Sequence, residues 1–548
     1  MKKNAVGRIL EVLRHEKKEI SAIYFYAVFN GLVQLSLPLG IQSIIGFVIG
    51  GTISTSLIVL IVLVVSGVLI NGLLQVNQMK IIEKIQQQLY VRYAFQYAYL
   101  IPQLNLRGID RYYLPEQVNR FLDTAILQKG LSKLLLDIPA ASLQILFGLI
   151  ILSFYHPIFI FFGLVLIAIL YGLLTVTGNR GLESSIEESN AKYGLVSWLE
   201  EVARTVTSFK FSQSSNLHIM RTDMHVSGYL DARTRHFKIL MIQYWSLIIF
   251  KVIITAAMLI VGSILLVNQQ LNIGQFVAAE IIIITVINSV EKIIKNLDKV
   301  YDVLTSVEKI TTITEKPLEE GGRYLPEAAR DKGYEVQAMD LTFAYDEKVI
   351  LDRLSFHAMP GQTVCVQGEW GAGKSTLLKV LTGSYQPYSG NILIDGISLA
   401  NYDLSAYRSR MGIVLGDLDL FEGTLMENIT MGREEISVQE VMTLAESVGL
   451  KNFLDNAPGG LQMLVNSAGK RLSKKVIHKI LLVRALAGKP RLLLMEEPWL
   501  VLEKEHAEKV KQLLLDQFKN VTKIIVTNDT SFAEKCDLVI DLSDNKSS

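Results

Sequence analysis

The sequence of 548 residues predicts an α-helical membrane region with six transmembrane helices, followed by an α/β region. Hydrophobic residues make up 50% of the chain, and the mean hydropathy of +0.33 is high for a soluble protein. The first half contains long stretches without a charged side chain, which are typical of membrane helices. From Tyr334 onward, short apolar runs alternate with helical patterns, which indicates a domain with a mostly parallel sheet. A chain of this length is expected to contain at least two domains.

Three apolar regions are each long enough for two membrane helices. Residues 20–79 and 138–179 contain no Asp, Glu, Lys or Arg, and residues 239–290 contain only Lys251 and Glu280. A membrane helix needs about 20 apolar residues, so each region predicts a helical hairpin. The turns of the three hairpins are predicted at Gly50-Gly51, at His156-Pro157 and near Gln270.

The charged stretches predict the orientation of these helices. Residues 80–137 and 180–238 are rich in Lys, Arg, Asp and Glu, and they keep a helical pattern. The N-terminal segment adds six basic residues, Lys2, Lys3, Arg8, Arg14, Lys17 and Lys18. By the positive-inside rule, we expect these stretches and both termini to be cytoplasmic, with the helices running on past the bilayer of the cytoplasmic (inner) membrane. Residues 1–18 lack the apolar core and cleavage site of a signal peptide.

The two charged residues of the third apolar region have different expected surroundings. Lys251 is predicted near the inner headgroups, where its ammonium can extend towards water. Glu280 follows the outer turn by about ten residues and is predicted near the middle of the bilayer. An ionised carboxylate there needs water or a partner, so either a role in a translocation path or a protonated packing role is open.

A phosphate-binding loop is the strongest motif of the second half. The stretch Gly368-Glu-Trp-Gly-Ala-Gly-Lys-Ser375 follows an apolar β-rich run and precedes a helical pattern. Its glycines let backbone N–H groups surround a phosphate at a helix N-terminus, and its serine hydroxyl suits Mg²⁺. The sequence therefore predicts ATP or GTP binding. The predicted contacts in this loop are Gly368, Gly371, Gly373, Lys374, Ser375 and Thr376.

Six helices with long inner loops, fused to such a loop, resemble a half-transporter of the ABC exporter family over nearly the whole chain. Further stretches match motifs of the family: Leu341-Thr-Phe-Ala-Tyr345, Leu420 to Ile429, Arg484-Ala-Leu-Ala487 and Leu492 to Pro498. Within the family, the chain is most similar to the peptide- and protein-exporting, type I secretion-like branch. The resemblance implies a membrane domain over residues 1–314, a linker over 315–333 and an ATP-binding cassette over 334–548.

The resemblance also implies roles for individual residues. Tyr345 would stack on adenine, Glu496 would hold Mg²⁺ together with Ser375, and Glu497 would be the general base. A second half-transporter chain would complete a homo- or heterodimer, in which Ser473 of the signature segment approaches the nucleotide of the other chain. ATP and Mg²⁺ are the cofactors expected on this basis, and transport would proceed by alternating access.

Several positions depart from the pattern of the family. The substituted positions are Gly416 for Gln, Lys474 and Lys475 for the two signature glycines, Glu496 for Asp, Asn528 for His and Glu503 for Asp. Asn528 can donate a hydrogen bond to a phosphate but carries no charge, and Glu496 is one methylene longer than Asp. Glycine at 416 removes a ligand. We therefore expect ATP binding, with hydrolysis that is slow or dependent on a partner chain.

Two alternatives to an active exporter remain open on the sequence. In the first alternative, the chain is an ATP-binding but non-hydrolysing regulatory subunit of a heteromeric transporter. In the second, it is a non-transporting membrane scaffold or receptor of the same fold. A net charge of +1 gives no reason to expect nucleic acid, and the two cysteines, Cys365 and Cys536, are predicted to be small core residues. Trp370 is predicted to be a partly exposed space-filling residue. The histidines show no metal-ligand spacing, and no Ser-His-Asp constellation is recognisable.

Overall fold

The computed structural model describes residues 5–50, 55–109, 113–212, 216–326, 332–386 and 388–543. Lys2, Lys3, Gly51 and residues 327–331 of the predicted linker lie outside these ranges. The chain divides into two compact units. Unit 1 comprises Met1–Pro102 and Tyr112–Lys316, and unit 2 comprises Gln103–Arg111 and Pro317–Ser548.

Unit 1 is all helical, and six segments of its described residues are long and apolar enough to cross a membrane. Its helices are α1 (Ala5–Arg14), α2 (Lys17–Gln34), α3 (Ser36–Ile49), α4 (Thr55–Leu100), α6 (Leu114–Val118), α7 (Asp123–Tyr155), α8 (Ile158–Arg204), α9 (Val206–Phe211), α10 (Leu217–Val267), α11 (Ile273–Lys295) and α12 (Leu297–Thr314). The short helix α5 (Leu106–Ile109), which lies between α4 and α6 in the sequence, belongs to unit 2. The predicted hairpins are confirmed, with turns at His156-Pro157 and at residues 268–272.

The helices of unit 1 are much longer than a bilayer requires. The longest, α10, has 51 residues, and at a rise of about 1.5 Å per residue it exceeds the roughly 30 Å hydrocarbon core more than twofold. The first membrane segment has a local break between α2 and α3. Pro38 has no N–H to donate to the carbonyl of Gln34, so the regular hydrogen-bond pattern resumes with Leu39, whose N–H donates to Leu35 at 3.3 Å.

A buried polar chain joins three helices of unit 1. The hydroxyl of Ser184 on α8 lies 2.8 Å from Nδ1 of His236 on α10, and Nε2 of His236 lies 3.5 Å from Asp298 on α12. The expectation that no Ser-His-Asp constellation exists is therefore wrong in spatial terms. Ser184 and His236 are buried and the ring of Tyr301 packs against the imidazole, so this group joins helices in the interior.

Unit 2 is an α/β fold built on a parallel sheet, as predicted. Its strands are β1 (Val336–Tyr345), β2 (Lys348–Ala358), β3 (Thr363–Gln367), β4 (Ser389–Ile394), β5 (Ile397–Ser398), β6 (Met411–Val414), β7 (Gly423–Thr424), β8 (Leu464–Val465), β9 (Leu492–Glu496), β10 (Thr522–Val526) and β11 (Leu538–Asp541). The parallel sheet has the order β11-β3-β10-β9-β6, and an antiparallel sheet has the order β2-β1-β4-β5. β7 and β8 form a separate pair.

Helices of unit 2 cover this sheet. After α5 they are α13 (Lys374–Leu381), α14 (Leu404–Arg408), α15 (Leu425–Thr430), α16 (Val438–Ser447), α17 (Lys451–Asn456), α18 (Lys474–Leu486), α19 (Lys504–Asp516) and α20 (Thr530–Ala533). The central strands β9 and β10 are buried, as expected for parallel strands covered on both faces, and β10 includes the polar residues Thr522 and Lys523.

The order of the parallel strands determines where the functional loops meet. Val526 at the end of β10 is in register with Glu496 of β9 and with Val366 of β3. The carboxyl ends of these three strands therefore lie at one edge of the sheet, where ligands bind in open α/β folds. The loops that follow them contain the phosphate loop, Glu497 and Asn528.

Candidate functional site

The phosphate loop is wrapped around the ammonium group of Lys374. Lys374 Nζ donates to the carbonyl oxygens of Gly368 at 2.6 Å and Glu369 at 2.8 Å. Gly373 has φ +92°, and a Cβ there would lie 2.9 Å from a side-chain carbon of Ile350, so both its conformation and its surroundings require glycine. Gly371 also has a left-handed φ of +80°. The predicted strand, loop and helix are all present, and α13 begins at Lys374.

The serine of this loop is joined to the end of β9. The hydroxyl of Ser375 donates to Oε1 of Glu496, and the N–H of Gly416 donates to Oε2 at 3.2 Å. A hydroxyl and a carboxylate are the oxygen ligands that Mg²⁺ takes beside phosphate oxygens and waters, so the donor set fits this ion. The described residues contain no cluster of three His, Cys, Asp or Glu that could hold a metal by protein ligands alone. Thr376, the next residue, is buried in the first turn of α13.

The candidate general base has a strained backbone. Glu497 has φ +44°, which is unusual for a residue other than glycine, and such strain is often found at functional sites. Its N–H donates to Val526 at 2.8 Å, and its Oε2 accepts from the hydroxyl of Thr527 at 3.1 Å. No role was predicted for Thr527, because the sequence does not indicate that its hydroxyl reaches Glu497, which follows the neighbouring strand β9. Asn528 is exposed.

The predicted adenine-stacking residue is part of an aromatic cluster. Tyr345, half-buried at the end of β1, packs edge-on against Phe343 and Tyr385, with ring centroids 5.1 and 5.9 Å apart. Lys379 of α13 lies 5.4 Å from the ring of Tyr385 and pairs with Asp417 at 2.7 Å. Tyr345 is therefore linked through Tyr385 to the helix that follows the phosphate loop.

The signature segment is tied to the loop after β9 in a way that the sequence did not indicate. Glu503 accepts from Lys479 at 2.7 Å and lies 4.0 Å from the ammonium of Lys475. The hydrogen bond from Lys479 holds the pKa of Glu503 below its usual value. Ser473 caps α18 by accepting from the N–H of Val476 at 3.3 Å. Lys474 is exposed and has no hydrogen bond or ion pair with any described residue.

Trp370, Cys365 and Cys536 differ in their exposure. Trp370 is 100% exposed, so the prediction of a space-filling residue is wrong; at the tip of the loop it has nothing to fill. Cys365 is buried and Cys536 half-buried, close to the core positions predicted. The thiol of Cys365 donates to the carbonyl of Thr527 at 3.7 Å, and that of Cys536 donates to the carbonyl of Phe532 at 3.3 Å.

The two charged residues of the third apolar region have different surroundings in unit 1. Lys251 donates to Glu291, which also pairs with Lys295 at 2.5 Å. Glu280 is half-buried on α11, and it has no hydrogen bond or ion pair with any described residue. The structure therefore adds a partner for Lys251 and leaves both interpretations of Glu280 open.

Comparison with known families agrees with this geometry. The sequence profile described as "ABC transporter" matches residues 351–500, from β2 through the phosphate loop to the residues after β9. The chain carries an ABC transporter domain. A solved structure of a bacterial Atm1-family ABC exporter with ATP bound matches 97% of this chain and 94% of its own, with a TM-score of 0.81. At 19% identity this likeness concerns the fold alone. With its six apolar segments, the chain is a multi-pass membrane protein.

The names of the curated relatives of this chain refer to different molecules. The chain is 29% identical to the ATP-dependent lipid A-core flippase of Burkholderia orbicola over 51% of this chain and 47% of that protein. It is 26% identical to the alpha-hemolysin translocation ATP-binding protein HlyB of Escherichia coli O157:H7, over 63% and 49%. It is 27% identical to the beta-(1→2)glucan export ATP-binding/permease protein NdvA of Rhizobium meliloti, over 65% and 63%. The match thus spans about half the length of the first two relatives.

Proposed function

We propose that this chain is the ATP-binding subunit of an ABC-type exporter, which moves a substrate outward across the cytoplasmic membrane. The observation that carries the proposal is the phosphate loop closed on Lys374, with Ser375 joined to Glu496 at the carboxyl edge of the parallel sheet. Both termini are cytoplasmic in this proposal, in line with the positive-inside rule.

Each group at the site has a distinct task in ATP binding. Lys374 would exchange the carbonyls of Gly368 and Glu369 for phosphate oxygens, and the loop N–H groups would surround the same phosphates. Ser375 and Glu496 would hold Mg²⁺, which neutralises phosphate charge when it is bound. Tyr345 would supply the aromatic face for adenine. Glu497 would orient and deprotonate a water, with Thr527 fixing its carboxylate.

The exporter would work as a dimer with a second half-transporter chain. Glu369, Trp370 and Gly371 of the phosphate loop are exposed in the single chain. In the dimer, the signature segment of the second chain would cover them. Closure would then switch the membrane helices between inward and outward access. For the cargo we propose a peptide or protein, or another amphipathic molecule, since HlyB is named for alpha-hemolysin translocation while other relatives are named for lipid A-core and glucan.

A regulatory subunit that binds ATP without hydrolysing it is the second candidate. Gly416 offers only its backbone to this site, and Lys475 points to Glu503 of its own chain. Both features remove groups that would act on a phosphate. A scaffold or receptor without any nucleotide role is the third candidate, and it is separated from the first two by nucleotide binding itself.

The test is an ATP titration of the full chain in nanodiscs with Mg²⁺ present. We expect Lys374→Ala to weaken ATP binding at least about tenfold, because hydrogen bonds to charged groups contribute roughly 1.5–3 kcal/mol. Lys519→Ala is the matched control, since Lys519 is exposed and lies outside the site. Equal ATP affinity of wild type and Lys374→Ala would contradict the proposed function.

A further inference from the structure

The carboxylate of Glu496 bridges two segments that are far apart in the sequence. One oxygen accepts from Ser375 of the phosphate loop, and the other accepts from the N–H of Gly416, two residues after β6. β6 and β9 are neighbours in the sheet, with Val414 opposite Met495, so the two segments emerge side by side. Glu496 is half-buried at this junction.

The backbone conformation at position 416 does not require a glycine. Its φ does not lie in the left-handed region, unlike those of Gly371 and Gly373, so any residue could adopt this conformation. The nearest atom that a Cβ would meet is Oε2 of Glu496, at 3.7 Å. An alanine therefore fits, whereas a long polar side chain would compete for the space beside this carboxylate. The carboxylate of Glu496 is thus the local reason for a small residue at position 416.

The length of Glu496 is equally specific to this arrangement. Aspartate is shorter by one methylene, and a carbon–carbon bond is about 1.5 Å long. A carboxylate withdrawn by that distance from its present position would no longer reach both the Ser375 hydroxyl and the Gly416 N–H, which is already 3.2 Å away. The second oxygen would then be left without a partner from the backbone of residue 416.

We propose that Glu496 and Gly416 form a matched pair that positions the divalent cation of the nucleotide site. One longer carboxylate, oriented by a backbone N–H, does the work of the glutamine and the shorter aspartate expected from the family resemblance. The proposal rests on the function proposed above. The two substitutions are then one compensated change: the long carboxylate at 496 requires a small residue at 416, and a small residue at 416 requires the long carboxylate.

The proposal predicts strong energetic coupling between substitutions at positions 416 and 496. Glu496→Asp alone and Gly416→Gln alone should each weaken cation binding, although each restores the side chain expected from the family resemblance. The double variant Gly416→Gln/Glu496→Asp should recover most of the affinity. Residues in direct contact commonly show coupling that corresponds to a factor of about 2 to 100.

The probe is Mn²⁺, titrated into the full chain in nanodiscs with a non-hydrolysable ATP analogue and followed by the electron paramagnetic resonance signal of free Mn²⁺. We expect each single variant to lose about tenfold in Mn²⁺ affinity, and the double variant to lie within about threefold of wild type. Gly416→Ala should retain the wild-type affinity because a methyl group fits. Glu434→Asp, at an exposed position, is the control for shortening a glutamate.

The alternatives give different results in the same titrations. Equal or tighter Mn²⁺ binding by Glu496→Asp, or independent effects of the two substitutions, would overturn the matched pair and leave the proposed function intact. Failure of the wild type to bind the analogue would overturn both proposals. Size-exclusion profiles and thermal unfolding without ligand establish that each variant is folded, and the thermal shift caused by Mn²⁺ with the analogue provides a second measure of binding.

Discussion

Glu280 is predicted near the middle of the bilayer, and none of the described residues forms an ion pair with it. Glu280, Ile284 and Asn288 follow each other at intervals of four residues and lie on one face of α11. Ile284 is 51% exposed and Asn288 is exposed, whereas Ala279 and Ile283, on the adjacent face about 100° around the helix, are buried. A carboxylate on the open face of a membrane helix must meet water, become protonated or find a partner outside this chain.

We predict that Glu280 lies on a water-accessible path at the dimer axis. After Cys365 and Cys536 are replaced by serine, a cysteine at position 280 should react with a small polar thiol reagent in at least one of the apo, ATP-bound and vanadate-treated states. The physical reason is that thiolate formation requires water. Ala279→Cys is the matched control and should stay unreactive, because Ala279 is fully buried. No labelling at 280 in any state would favour a protonated packing residue.

At the level of elements, α18 is tied to the loop after β9 by adjacent side chains. His478 Nε2 lies 2.8 Å from the carbonyl oxygen of Pro498, and burial lowers the pKa of this histidine. Lys479 is 10% exposed and pairs with Glu503, and its Nζ also donates to the carbonyl of Gly449 at 3.1 Å. Three side-chain contacts therefore connect the signature helix to other segments of unit 2, two of them to the loop after β9.

The Lys479–Glu503 pair is predicted to stabilise unit 2. Glu503→Gln leaves the largely buried ammonium of Lys479 without its carboxylate and should destabilise the protein by about 1 kcal/mol, less than a fully buried pair because Glu503 is half-exposed. Lys475→Met should have almost no effect, since both partners of that 4.0 Å contact are exposed. Thermal unfolding of the full chain in detergent measures both. Equal midpoints for Glu503→Gln and wild type would contradict the prediction.

Lys523 predicts a pH dependence of stability. It is 1% exposed in β10, its Nζ donates to the carbonyls of Gly361, Phe518 and Val521, and burial lowers its pKa from 10.5 to about 8. Above pH 8 the folded state has lost a proton that the unfolded state keeps up to about pH 10.5, so this group makes stability rise with pH in that window. The rise is at most about 1.4 kcal/mol per pH unit.

The measurement compares wild type with Lys523→Met in thermal unfolding from about pH 7 to about pH 10. Methionine keeps the length of the side chain without a titrating group, so the variant should lack the contribution of this residue. The unfolding midpoint of wild type should therefore rise relative to that of Lys523→Met as the pH rises. Parallel pH profiles would show that Lys523 titrates normally in the folded protein.

The elements that the sequence predicted well are those determined by local signals. The phosphate loop needed only its glycines and flanking runs, and the hairpin turn at His156-Pro157 needed only a break in an apolar run. Contacts between distant segments had no such signal. Ser184, His236 and Asp298 come from three different helices. Residues 103–111 likewise group with unit 2, through bonds such as Asn105 N–H to Pro317.

For the whole molecule, the central question is whether one kind of chain can build a complete hydrolytic site. Two copies of this chain would combine Gly416, Glu496 and Asn528 on one side with Lys474 and Lys475 on the other. A different partner chain could supply an ordinary signature to this phosphate loop. It could also supply its own carboxylate and switch residue opposite the two lysines. On the proposed function, we therefore expect the composition of the dimer to decide whether ATP is hydrolysed.

We predict that the purified chain alone hydrolyses ATP far more slowly than a typical enzyme, whose median turnover is about 10 per second. Loss of one well-placed transition-state contact lowers a rate about 10²- to 10³-fold, and several losses at one site do not simply multiply. Glu497→Gln should then change the residual rate little, because another group already limits it. The assay is steady-state phosphate release in nanodiscs, alone and beside any co-purifying homologous chain, with Lys374→Ala as the background. Ordinary turnover that disappears in Glu497→Gln would mean that the substituted motifs are functional variants, and it would exclude the regulatory subunit.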